Sequence, residues 1–248
     1  MIFHIRSIAY SIAFFLGLET IAFAELQNTV FIVTAVMLVL SLHAAYIIGR
    51  QWLFVFIPLI YTIVTIAILA LIDPPVQIHI FVVLSTVVYY VTLLSVHRLR
   101  NFMQDQTARG LLVATSTVTI FFFYAAAYGF YLNFEVPLWG LMIAFFLVTF
   151  IVSYNYLSII SLQRARGALL HSAALGFAMT QLIWAMSFWP FGYLTTGVIA
   201  LIFYYILWDL IQSYFLNLLS RKRVVANVIF FTVLAGMVLI SSRWLPAV

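Results

Sequence analysis

The chain contains no cysteine, which removes disulfides, thiolate metal sites and a Cys nucleophile from consideration. It is nearly as poor in charge. Only 7% of its 248 residues are Asp, Glu, Lys or Arg, against roughly 25% in a soluble globular protein. No water-soluble surface can be built from so few. Acids are scarcer than bases, 6 against 11, and nowhere cluster in a loop that could hold Mg²⁺ for phosphoryl or prenyl transfer. Also missing are a Gly-rich phosphate loop, a His-Glu-x-x-His and a Gly-x-Ser-x-Gly. The five histidines, His4, His43, His79, His97 and His171, fall at different depths and faces, which is poor geometry for a metal. No cofactor and no metal site is expected, and an enzyme is the less favoured class.

What the chain does have is long apolar runs, with 67% hydrophobic residues overall. A helix rises 1.5 Å per residue, so a hydrocarbon core of about 30 Å needs roughly 20 of them. Nine segments qualify: 6–24, 29–48, 52–72, 77–96, 110–132, 137–162, 168–188, 192–218 and 224–242. They predict an all-α, polytopic transmembrane helical bundle forming a single domain over 1–248. The start resembles a signal peptide, but Glu19 within the first run and the tight Glu25-Leu26-Gln27-Asn28 turn favour a retained helix. An eight-span form, with the first segment flat at the interface, is the alternative.

Basic residues then orient the spans. Arg6, Arg50, the Arg98/Arg100/Arg109 cluster, Arg164 with Arg166, and Arg221-Lys222-Arg223 all fall on one side of a nine-span arrangement. The intervening turns hold Glu25, Asp73, Glu135 and Trp189-Pro190-Phe191-Gly192, and only Arg243 breaks the pattern. Cationic loops stay cytoplasmic, which puts the N-terminus inside and the C-terminus outside. The net charge of +5 is spread one to three cations per loop. It therefore implies contact with lipid headgroups rather than with nucleic acid. Trp52, Trp139, Trp189 and Trp244 fall at span ends, where an indole keeps its N–H wet. Pro58 lies about a third of the way into the third span and predicts a kink. Small residues in the seventh span, Ser172, Ala173, Ala174, Gly176 and Ala178, predict close helix approach and a central position.

Polar groups inside hydrocarbon are costly, about 2.5–3.5 kcal/mol for a central charge. Glu19 lies six residues, about 9 Å, from the outer turn at Glu25 and can reach headgroups or water. Asp209 sits about four residues inward of its span's midpoint, and Tyr205, Asp209, Gln212 and Ser213 form one stripe at helical spacing. Measured from span midpoints, His43, Tyr90 and Asn155 fall in the same layer, on the order of 5–8 Å inward. This layer has two readings. It is either a hydrogen-bonded plug that sets helix register, with Asp209 neutralised or paired, or a pocket whose His43–Asp209 pair carries protons or a cation. In either case Asp209 should face other helices and find a partner such as His43, Asn155 or a tyrosine.

The last third has a recognisable pattern. Ala185-Met186-Ser187-Phe188-Trp189-Pro190 closes one span, and a long span, a basic loop and a terminal Ser242-Arg243-Trp244 come after it. Over residues 180–248 this resembles a family of small multi-pass bacterial membrane proteins classed as a domain of unknown function. The resemblance implies a bacterial inner (plasma) membrane protein and brings no catalytic or binding residues. The function expected is therefore a non-enzymatic membrane-embedded scaffold or an accessory, lipid-binding component. Its partners would be membrane lipids, another membrane protein or a second copy of itself. The alternatives are a small-solute or ion transporter or channel built on the Asp209 layer, and then a lipid-modifying enzyme.

Overall fold

The computed structural model of the chain describes residues 2–24, 26–160, 165–215 and 220–241. Glu25, Arg164, Ser242, Arg243 and Trp244, which entered the reading of topology and resemblance, lie outside the described residues. Among those described there are nine α-helices and no strand. They are α1 (Ile2–Ala22), α2 (Gln27–Gly49), α3 (Phe56–Leu69), α4 (Pro75–Asn101), α5 (Gln106–Asn133), α6 (Leu138–Ile160), α7 (Ala165–Met186), α8 (Tyr193–Phe215) and α9 (Arg221–Ser241). Each matches one expected span, and all 9, with α3 counted from Trp52, are long and apolar enough to cross a membrane.

Local chemistry sets the boundaries. Arg50 ends α2 in a left-handed conformation, φ 54°, with its N–H on the Tyr46 carbonyl at 2.7 Å. Pro75 occupies the first turn of α4, where its missing N–H leaves no bond unmade. Asp105 precedes α5 as an N-cap: its Oδ1 accepts the backbone N–H groups of Thr107 at 3.0 Å and Ala108 at 3.2 Å. The Asp105 Oδ2 also receives the Arg98 guanidinium, at 2.8 Å from Nε and 2.7 Å from Nη2, so one carboxylate closes the turn between α4 and α5.

Pro58 departs from expectation. The expected third span is divided into a 3-10 turn at Trp52–Phe54 and α3, so Pro58 lies in the first turn of a helix instead of kinking a longer one. A first-turn proline breaks no intrahelical bond. Its carbonyl accepts the hydroxyls of Thr62 at 2.9 Å and Ser41 at 3.1 Å, which fastens α2 to α3.

The helices fall into two compact units, 1–119 and 120–248, divided within α5. In the first, Phe14 of α1 stacks on Tyr89 of α4 with ring centroids 4.3 Å apart, and Tyr61 of α3 completes the cluster and donates to the Ser85 carbonyl at 2.9 Å. Ala44, Ala45 and Leu93 of the same unit have no exposed surface. In the second, Tyr124 stacks on Phe145 at 4.5 Å and shares a hydrogen bond with Thr149 at 2.8 Å. Tyr204 meets Ser153 at 3.2 Å. A ring buries much apolar surface, but its hydroxyl needs a partner once out of water.

The seventh helix only partly meets its expectation. Ser172, Leu175, Gly176, Met179 and Ile183 are buried, and α7 packs closely along α6. Leu170, Phe177 and Trp184 on its other side are exposed, so it is not enclosed all round.

Candidate functional site

The second unit holds most of the expected polar layer. Asp209 on α8 is 8% exposed, and its Oδ2 accepts a hydrogen bond from the Nδ2 of Asn227 on α9. Tyr205, one turn earlier, sets its ring against Phe231 of α9 at 5.1 Å and Trp208 at 5.9 Å. Gln212 turns toward the other neighbour and donates to the Tyr156 hydroxyl of α6 at 3.3 Å. Three residues along a helix amount to a rotation of about 300°, so Asp209 and Gln212 on one stripe can still serve different helices. Ser213 is buried, as is Asn155 beside Tyr156 on α6. The α8 stripe thus joins α6 on one side and α9 on the other.

The first unit holds the remaining two residues. His43 on α2 is exposed, and its Nδ1 lies 3.0 Å from the Tyr10 hydroxyl of α1. Tyr90 is half-buried; the neighbouring Tyr89 is the α4 tyrosine in the core stack. The structure thus gives His43 and Asp209 different partners, Tyr10 and Asn227. Toward the opposite end of α1, Glu19 meets the Nδ1 of His79 on α4 at 3.0 Å, with Phe23 stacked on the imidazole at 5.1 Å. Glu19 therefore has a partner within the bundle in addition to its expected access to headgroups. Among the described residues, no three His, Asp or Glu side chains converge so that they could hold a metal ion.

Residues 48–241 match DUF5656, a protein family of unknown function. The chain belongs to that family. The match begins well before the 180–248 pattern and ends at 241, short of Ser242-Arg243-Trp244; it takes in α3 to α9 whole and the last residues of α2. Tyr90, Asn155, Tyr205, Asp209, Gln212 and Asn227 all lie inside the DUF5656 region, whereas Tyr10, Glu19 and His43 lie before it. No curated protein and no solved structure matches the chain.

Sequence reasoning in this DUF5656 chain named none of the partners Asn227, Tyr156 and Tyr10, nor Tyr89 of the core stack. Asn227 lies about six residues from the middle of its expected span, on the order of 9 Å, farther from that middle than the layer expected for His43, Tyr90 and Asn155. Only a few ångströms of depth separate it from Asp209, which made it one candidate among several without showing that α8 and α9 are neighbours. Tyr89 was findable: Val82, Ser85, Tyr89, Thr92 and Val96 recur at helical spacing and are all buried. Chemically, the observed contacts suit fastening. A carboxyl oxygen receiving an amide N–H, and a phenol receiving another, are helix-to-helix hydrogen bonds between polar groups at least partly withdrawn from solvent.

Proposed function

We propose that this protein is a non-enzymatic, membrane-embedded scaffold or accessory component of a bacterial inner membrane, working through contacts with lipid or with another membrane protein. Its nine spans run from a cytoplasmic start before Arg6 to an external end after Ser241. The observation that carries the reading is the pairing of the α8 stripe: Asp209 with Asn227 and Gln212 with Tyr156. These are the groups a transport pathway would keep available to a passing ion, and here they hold helices together. The α9 helix supports the same reading. Only 6% of its apolar stretch Val224–Ser241 is buried, the least of the nine, and Ile229, Phe230, Val233 and Met237 face outward.

The test is Asp209→Asn, in which the amide oxygen can still accept the Asn227 bond. Purified wild type and variant should melt alike and carry the same co-purifying lipids and proteins. Proteoliposomes of either, loaded with a pH-sensitive dye, should leak protons no faster than empty vesicles. A proton or cation flux that wild type supports and Asp209→Asn abolishes would establish the transporter instead.

A further inference from the structure

Three arginines from three helices line one cavity of about 470 Å³ in the first unit: Arg6 of α1, Arg50 closing α2 and Arg100 in the last turn of α4, with Tyr46 and Ile47. That volume is ordinary for a small-ligand site, about 300–1,000 Å³. No acid among the described residues lines the cavity. Among the described residues, no carboxylate comes within ion-pair distance of any of the three, whereas nearby Arg98 is held by Asp105. The convergence of like charges needs a cause. A preference for cationic inner loops accounts for the side of the membrane but not for one shared cavity. Helix dipoles favour Arg50 and Arg100 at C-terminal ends and give no such gain to Arg6 near the start of α1.

Geometry singles out two of them further. Arg100 donates from Nη1 to the Ile48 carbonyl at 3.1 Å. A guanidinium carries five N–H donors in a rigid fork, so one bond of this kind fixes its plane and leaves donors for an anion. Arg50 holds a left-handed backbone, φ 54°, that glycine would adopt more easily. The exposed Trp52 packs against the lining residue Tyr46 with ring centroids 5.1 Å apart, an amphipathic aromatic pair of the kind enriched where a bilayer meets water.

We propose that this cavity binds a phosphate group, that of an anionic lipid headgroup, through bidentate contacts from Arg6, Arg50 and Arg100. The inference deepens the lipid-binding part of the proposed function and rests on the membrane placement given there. It is tested on the full chain in detergent, by native mass spectrometry and thermal shift. The probes are short-chain phosphatidylglycerol, short-chain phosphatidylcholine and inorganic phosphate. Phosphatidylglycerol should bind at least tenfold more tightly than either of the others and raise the melting temperature. Arg50→Gly should lose at least tenfold of that affinity while melting no lower than wild type, because glycine suits the left-handed position. Arg100→Gln and Arg6→Gln should each weaken binding without changing that of phosphatidylcholine. Equal binding of the two lipids, or full affinity in Arg50→Gly, would overturn the site. Inorganic phosphate matching phosphatidylglycerol would overturn the assignment to lipid. Reporter fusions placing Arg50 outside would remove the membrane placement and leave the binding result standing.

Discussion

At the residue scale, the Asp209–Asn227 bond is worth little in itself and more in what it prevents. Hydrogen bonds between membrane helices average about 0.6 kcal/mol, so Asp209→Asn should change unfolding free energy by no more than about that amount. Asp209→Leu leaves the Asn227 amide without this acceptor and should cost about 1–2 kcal/mol, because an unmet polar group loses its solvation for nothing. Asn227→Leu should cost a similar amount and the double variant less than the sum, which reversible unfolding in detergent would show. Asp209's need for a polar partner was legible from the cost of a carboxyl in hydrocarbon. The identity of the partner was not, since depth along a span carries no information about which helices are neighbours. Asp105 supplies the pH prediction. The Ala108 N–H holds its carboxyl below the ordinary 3.8; desolvation, next in size, opposes it, and the Arg98 guanidinium and the Thr107 N–H add to the lowering. A lowered folded pKa means stability that is complete well above pH 3.8 and is lost as pH falls through the folded value. Melting temperature should therefore drop on acidification through that range in wild type, and drop less in Asp105→Asn, which keeps an N-cap oxygen but has no proton to gain.

At the scale of elements, helix contacts depend on where a Cβ is missing. A Cβ on Gly197 of α8 would stand 3.0 Å from the Ala125 Cα and 3.1 Å from its N on α5, against backbone that cannot yield. Gly197→Ala should destabilise by about 1–3 kcal/mol through overpacking. Gly236→Ala, with nothing within 4 Å, should be neutral or slightly stabilising. Thermal unfolding of the two variants side by side checks both. Gly176 shows how the small residues of α7 were legible: its Cβ would meet the Phe146 carbonyl of α6 at 3.0 Å. Small size, however, marks a close contact and not enclosure, so the expectation that α7 is central went further than its residues allowed. The break before α3 was hidden for a related reason. Trp52, Leu53 and Phe54 are as apolar as the helix after them, and apolar content shows where hydrocarbon is met but not which helical form meets it.

At the scale of the whole molecule, helix positions were readable because apolar runs and basic loops alternate regularly, and every observed helix overlaps its expected span. The grouping of those helices into units 1–119 and 120–248 was not. It depends on side-chain seams such as Phe14–Tyr61–Tyr89 in one unit and Tyr124–Phe145 in the other, which span prediction by hydropathy does not see. Orientation in a bilayer underlies both the scaffold reading and the lipid site, and topology reporters measure it directly. Fusions after Arg50, Arg100, Arg166 and Lys222 should report cytoplasm, and fusions after Glu25, Asp73, Glu135 and Ser241 should report the external side. A cytoplasmic signal after Ser241, or an external one after Arg50 or Arg100, would contradict the nine-span orientation.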